Sequence, residues 1–289
     1  MIEFIEVADA IKFRDLVWPV LALDVMPNNM LLGMVDSRHP GDARLPSDRF
    51  VIIFQRGALV GAIAQTRLEC PVFSDMSPEI ARFAWKRWMT DIGWPKTLFG
   101  PEKTMTVLLA DMQSESPEMT PIVRKMMGYE LTLVCMPSRK AEGRMRFAIQ
   151  ADEELLVEWG VLFTIDCGLP EATSPTLHDD IRKRIQSNLA NRTCVIWEVN
   201  EKPVSMASAA RAARFGTSVS WVYTPNDLRG RGYAAHLVAE LSQFLLSGGA
   251  PRCLLFTDAM NPISNAIYQR IGYRHVCDFL LLEISARHL

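Results

Sequence analysis

The chain alternates short apolar runs with longer stretches in which apolar positions recur at helical spacing, the pattern of mixed α and β structure. In the first half, 50–54 and 59–65 are apolar runs joined by Gln55-Arg56-Gly57-Ala58, which predicts a β-hairpin. Ser77-Pro78-Glu79 opens a predicted helix, with Ser as N-cap, Pro in the first turn and an acid near the positive end of the dipole. That helix carries Trp85 and Trp88 and stops near Gly93. A strand is expected over 104–109, a helix over 117–127 and a strand over 130–135.

The polar stretch 137–143 breaks the pattern. It divides the chain into an expected first domain over 1–140 and a second over 144–289. In the second, the pattern predicts a strand at 145–149, a helix at 152–167 and another from Ser174-Pro175 to about Asn188. Runs 194–199 and 204–210 form a hairpin around Asn200-Glu201-Lys202-Pro203, and 217–224 adds a third strand. A helix over 233–246, a strand over 253–257, a helix over 262–271 and a strand over 275–284 complete the order. The first half has a similar hairpin-then-helix rhythm without an obvious repeated sequence.

At 289 residues, with 49% apolar and 22% charged side chains, the chain has the balance of a soluble globular protein of one large or two ordinary domains. A formal charge of −2 gives no electrostatic reason to expect nucleic acid as a partner. The densest basic cluster, Arg182, Lys183 and Arg184, lies on a predicted helix and reads as a solvated face. No apolar run is long enough to cross a bilayer, and the amino terminus lacks the basic region of a signal peptide. A cytoplasmic protein with no membrane partner, monomeric or homodimeric, is the expectation. The six cysteines are widely spaced, without a CxxC pair or metal-type spacing. They read as structural thiols, and no metal is expected.

The richest chemistry lies at 221–235, where a strand feeds a loop of Gly and Arg and a helix follows at once. Such a loop presents successive backbone N–H groups at a helix amino terminus, where the dipole favours an anion. Gly230 and Gly232 remove side chains that would hold a phosphate off the backbone. Ala234 and Ala235 keep the first helical turn thin. The glycine spacing is not that of a Rossmann fingerprint, and the Gly-Lys-Ser/Thr of a P-loop is absent. Downstream, Asn261-Pro262 opens a short helix ending at Gly272, on which Asn261, Asn265 and Tyr268 share one face. Ile263, Ile267 and Ile271 form a neighbouring apolar stripe. His178 and His236 read as helix-surface residues.

Together these residues resemble the GNAT acetyltransferase superfamily. The family's Gln/Arg-x-x-Gly-x-Gly/Ala signature is matched by Arg229, Gly232 and Ala234. Its later Asn, with Tyr seven residues on and then Gly and an aromatic, is matched by Asn261, Tyr268, Gly272 and Tyr273. The resemblance implies an α/β (α+β) fold: a mixed, mostly antiparallel sheet flanked by helices, preceded by a degenerate GNAT-like half. In that first half the segment 71–77 has no glycine and carries Asp75, so one cofactor site per chain is expected.

By the same resemblance, the cosubstrate is acetyl-CoA and the acceptor a small-molecule or peptidyl primary amine. Val222 and Thr224 would pair with the pantetheine arm in a gap between two strands, and an N–H near Val222 or Tyr223 would polarise the thioester carbonyl. Backbone N–H groups of Gly230, Arg231, Gly232, Tyr233, Ala234 and Ala235 would hold the pyrophosphate, with Arg229 and Arg231 reaching toward it. Asn261 and Asn265 would contact the cofactor. Tyr268 would protonate the departing thiolate, and Glu198 is a candidate base. A catalytically silent acyl-CoA sensor and a transferase of longer acyl groups are the alternatives. Acceptor choice would rest on loops 211–216 and 167–173.

Overall fold

The computed structural model describes residues 1–36, 45–66, 70–209 and 214–284. It contains β1 (Ile2–Glu6), α1 (Ala10–Leu21), α2 (Val25–Asp36), β2 (Arg49–Gln55), β3 (Ala58–Gln65), β4 (Val72–Phe73), α3 (Pro78–Asp91), β5 (Thr97–Pro101), α4 (Glu102–Glu115) and β6 (Ile122–Leu131). There follow β7 (Arg144–Phe147), α5 (Glu153–Asp166), α6 (Leu177–Ala190), β8 (Cys194–Val199), β9 (Lys202–Ala209), β10 (Thr217–Tyr223), α7 (Tyr233–Ser247), β11 (Cys253–Asp258), α8 (Pro262–Ile271) and β12 (Arg274–Glu283). The mixed, mostly antiparallel sheet with flanking helices is the expected fold class. Contacts divide the chain differently from the expected boundary at 140. One compact unit comprises Met1–Gly128, Thr257–Asn261 and the residues from Val276; the other comprises Tyr129–Phe256 and Pro262–His275.

In the first unit the strand order is β1-β2-β3-β4-β5-β12-β6. The β2–β3 turn is the expected hairpin, and Arg56 (φ 52°) and Gly57 (φ 79°) supply the two positive φ values such a tight turn requires. Ser77 caps α3 as predicted, its hydroxyl accepting from the Ile80 N–H at 3.4 Å. The core gathers Trp85, Trp88, Ile53, Ile63, Leu98, Leu108 and Leu282.

Two expectations here are overturned. Residues 104–109 lie in α4 rather than a strand, because Met105, Leu108 and Met112 recur at helical spacing and are all fully buried. Residues 117–127 do not form a helix: β6 begins at Ile122, where the β-branched Ile122-Val123 joins a strand. The strand expected over 130–135 overlaps β6 only at Glu130 and Leu131. The elements β1, α1, α2 and β5 were not anticipated.

In the second unit the order is β6-β11-β10-β9-β8-β7, antiparallel from β10 to β7 and parallel between β10 and β11. All the elements predicted over 144–284 form within a few residues of their expected ends. β9 ends at Ala209, and Ala210 lies outside the described residues. Helices α5 and α6 bury Leu156, Trp159 and Ile185 against Ile196, Met206 and Trp221. Trp197 points to the opposite face, where its ring lies 5.7 Å from that of His236 on α7. The six cysteines are free thiols. Cys194 and Cys253 are fully buried, and burial pushes each thiol up to about 11.

Candidate active site

The glycine loop is built as the sequence suggested. After β10, a short 3-10 turn at Asn226–Leu228 leads to Gly230 (φ 78°) and Gly232 (φ 82°), and α7 starts at Tyr233. Both glycines occupy the left-handed region that side-chain-bearing residues avoid. The surface above them is open: a Cβ on Gly230 would meet nothing within 4 Å, and one on Gly232 would touch only His236 and Ala141 near 3.7–3.8 Å. No side chain caps α7. The amides of Gly230, Arg231, Gly232, Tyr233, Ala234 and Ala235 donate to no acceptor among the described residues; the first bond of the helix is His236 N–H to the Gly232 carbonyl. That is a row of unclaimed donors at the positive end of a 15-residue helix.

His236 supports this loop from below, which the sequence reading missed. It is 5% exposed rather than a surface residue. Its Nε2 accepts from the Ala141 N–H at 3.2 Å, so Nδ1 carries the proton and donates to the Gly232 carbonyl at 3.0 Å. The imidazole fixes the peptide that starts the helix. Only its position four residues after Gly232 hinted at this. His178 is exposed, as expected.

Beside the loop, two parallel strands part. β10 pairs with β11 only through Thr217–Cys253 and Ser218–Leu254, and no further register continues toward Tyr223. Between Ser220 and Tyr223 the β10–β9 register shifts, and Trp221 takes φ 56°, the geometry of a bulge. Gly160 on α5 lets the Trp221 ring approach closely, since a Cβ there would lie 2.7 Å from it. Phe163 stacks on the same ring at 5.9 Å, and the Arg184 guanidinium lies 4.4 Å from its centroid. Arg184 therefore covers an aromatic, while its neighbour Arg182 pairs with Glu153 and Glu154. The solvated-face reading suits Lys183 alone.

The arginines of the motif are occupied by protein groups. Arg229 donates through Nε to the Thr224 carbonyl at 2.9 Å and pairs through Nη2 with Asp166 at 2.7 Å. Arg231 donates to the Asp227 carbonyl at 3.2 Å. Ser205 donates to the Tyr223 carbonyl and sits 2.9 Å from the Thr224 hydroxyl. These bonds fix the strand end, so an anion here would meet backbone amides first.

On α8, Asn265 and Tyr268 are each 8% exposed, whereas Asn261 is exposed, so the expected polar line is not uniformly presented. The Asn265 carbonyl accepts from the Tyr129 hydroxyl at 3.0 Å, and Gln269 donates to that same hydroxyl at 3.2 Å. Asn265 thus has a structural duty that the sequence reading did not give it. The Tyr268 hydroxyl has no hydrogen-bond partner among the described residues. Burial, reinforced by the Cys167 thiol, raises its pKa well above the usual tyrosine value, so it stays protonated at neutral pH. The apolar stripe holds at Ile271, which is buried, and fails at Ile263, which is 73% exposed.

Glu198 is tied up. Its carboxylate pairs with Arg146 at 2.5 Å and Arg144 at 3.3 Å, while Arg146 also grips Asp152 through both carboxylate oxygens at 2.7 and 2.9 Å. The Arg146 hydrogen bond holds the Glu198 carboxyl below the usual range. A carboxylate so neutralised is a weaker base than a free one, which opposes the role expected of it. In the acceptor loop, residues 211–213 lie outside the described residues. Among the described residues no cluster of His, Cys, Asp and Glu is placed to hold a metal ion, and no helix is long and apolar enough to cross a membrane.

A strand that parts from its parallel neighbour lies beside a glycine loop whose amides are unclaimed among the described residues, in a mixed α/β protein. Residues 162–273, which include this loop and Tyr268, match the acetyltransferase (GNAT) family. A GCN5-related N-acetyltransferase from Sphaerobacter thermophilus is 16% identical, with 97% of this chain and 94% of that one covered at a TM-score of 0.62. A GNAT-family acetyltransferase from Colwellia psychrerythraea is 10% identical over 98% of this chain and 100% of its own, with a TM-score of 0.57. At such identities the likeness is one of fold, and it extends over nearly the whole chain. Comparison with curated proteins finds no match.

Proposed function

We propose that this protein is an N-acetyltransferase that moves the acetyl group of acetyl-CoA to a primary amine of a small-molecule or peptidyl acceptor by direct attack. The observation that carries the reading is the row of unclaimed amides from Gly230 to Ala235, set beside the parting of β10 and β11. A pyrophosphate fits such a row, because each N–H lacks an acceptor and the helix dipole adds to their pull. In this reading Val222 and Thr224 hold the pantetheine arm along the strand edge. The N–H of Val222 or Tyr223, beside the bulge, polarises the thioester carbonyl. Tyr268 contributes its proton to the departing sulfur, a role its unpartnered hydroxyl suits, while burial keeps the phenol protonated until the sulfur leaves.

A turnover screen with acetyl-CoA across polyamines, amino acids, aminoglycosides and peptide amino termini, read by release of free thiol, tests the proposal. Turnover of at least one amine is expected. Binding of coenzyme A without turnover of any amine would make the protein an acyl-CoA sensor instead.

A further inference from the structure

Trp221 marks the point where the two parallel strands part. The β10–β11 pairing ends at Ser218–Leu254, and Trp221 sits in the register shift between Ser220 and Tyr223 with φ 56°. Its indole is buried and packs against α5, where Phe163 stacks on it and a Cβ on Gly160 would lie 2.7 Å from the ring. From α6, the Arg184 guanidinium reaches the same ring, 4.4 Å from its centroid. Arg184 itself is exposed, and its N–H donors have no acceptor among the described residues. The neighbouring arginines are committed, Arg182 to Glu153 and Glu154 and Arg229 to Asp166. Protein crowded around Arg184 lowers its pKa, opposed by Glu171, which belongs to the loop expected to govern acceptor choice. A charged fork with free donors is thus anchored one indole away from the strand opening.

We propose, resting on the acetyl-CoA reading of this site, that Arg184 selects the acceptor by binding its carboxylate, so that the substrates are amines carrying an acid group. A guanidinium offers parallel N–H donors at the spacing of carboxylate oxygens, and the contact with Trp221 limits the side chain's freedom before the acceptor arrives. One cation with the acid Glu171 nearby suits a single negative charge better than a phosphate dianion. The indole between the guanidinium and the strand end sets a separation, so the acceptor's amine and carboxylate lie several bonds apart. That favours ω-amino acids and peptides over α-amino acids. Polyamines and aminoglycosides carry only positive charge, which Arg184 repels.

The test pairs γ-aminobutyrate, ε-aminocaproate and glycylglycine each with its amide, and measures kcat/KM with acetyl-CoA by release of free thiol. Spermidine serves as the cationic comparison, and coenzyme A binding is followed in parallel by calorimetry. At least one free acid should exceed its amide by on the order of tenfold or more, the worth of a charge-assisted hydrogen bond. Arg184→Met, which keeps an unbranched chain against the indole, should bring the acid-to-amide ratio close to one. Arg184→Lys, with the charge but not the fork, should give an intermediate ratio. Turnover confined to amines without an acid group, amides that match their free acids, or a preference that persists in both variants overturns the proposal and leaves the acetyltransferase reading standing. Coenzyme A binding without turnover of any amine overturns that reading, and acceptor selection falls with it.

Discussion

Gly232 offers the most direct way to interrogate the anion cradle, because charge and shape separate there. Its φ of 82° is left-handed, and an added Cβ would meet His236 and Ala141 only at ordinary van der Waals distance. Asn and Asp are the side-chain-bearing residues that best tolerate this conformation, and for an L-residue the strain is roughly 1–2 kcal/mol at most. Gly232→Asn and Gly232→Asp should therefore both fold, with similar melting temperatures. The two side chains have nearly the same shape, so the difference between the variants is the charge. A carboxylate about 5 Å from a pyrophosphate charge, at an effective dielectric of ~20, costs roughly 3 kcal/mol. That is about two orders of magnitude in Kd. Calorimetry with coenzyme A should show Gly232→Asn weakened by the blocked approach, and Gly232→Asp weaker again by that further factor. The gap should narrow as salt is raised. Equal affinities for the two variants would mean that no anion lies over this loop.

Three further outcomes are expected. Tyr268→Phe, which keeps the ring packed against Tyr273, should lower kcat by on the order of a hundredfold with little change in the KM for acetyl-CoA; an unchanged kcat makes Tyr268 packing only. Arg146→Met should lower the melting temperature at pH 7. Arg146 helps hold Glu198 and Asp152 below their ordinary values, against the burial that would raise Asp152, so this stabilisation is present above about pH 4 and fades as pH falls through the folded-state values. The gap between wild type and variant should therefore close in acid, and a gap that widens would refute the assignment. Titration should give one coenzyme A per chain, and two sites would show that the first unit also binds.

How far the sequence led differs between the two units for a physical reason. In the second, the hairpin Cys194–Val199 and Lys202–Ala209 and the helix Pro262–Ile271 are marked by strong local signals: positive-φ residues at Asn200 and Glu201, a Pro at the helix start, a Gly at φ 106° at its end. Local rules and tertiary structure agree there. In the first unit, Thr104 to Leu109 is apolar and partly β-branched, so local propensity suggests a strand, while burial of Met105, Leu108 and Met112 on one face selects a helix. At the site, the glycines and Tyr268 were legible because their chemistry is local. The Arg146 grip on Glu198 and the His236 support of Gly232 were not, because each joins residues distant in sequence or covers a backbone group that no side-chain pattern reports.

The segment that leads into α3 shows why a similar strand-loop-helix is no second cradle. The Ser74 amide donates to the Ala62 carbonyl at 2.9 Å, the Asp75 amide to Asn28 Oδ1 at 3.2 Å and the Met76 amide to the Thr104 hydroxyl at 3.0 Å. Three successive donors that would face an anion are already spent within their own unit. Thr104 passes its own proton to the Ser74 carbonyl at 3.2 Å, which closes the loop on α4. Met76, 3% exposed, packs so tightly on Gly61 that a Cβ there would lie 2.9 Å from its sulfur, so no side-chain gap is left either. Asp75 adds a negative charge, with Lys103 3.6 Å away. The two loops share a place between strand and helix. What separates them is how many amides the protein leaves unclaimed, and only the loop from Gly230 to Ala235 leaves a row of them.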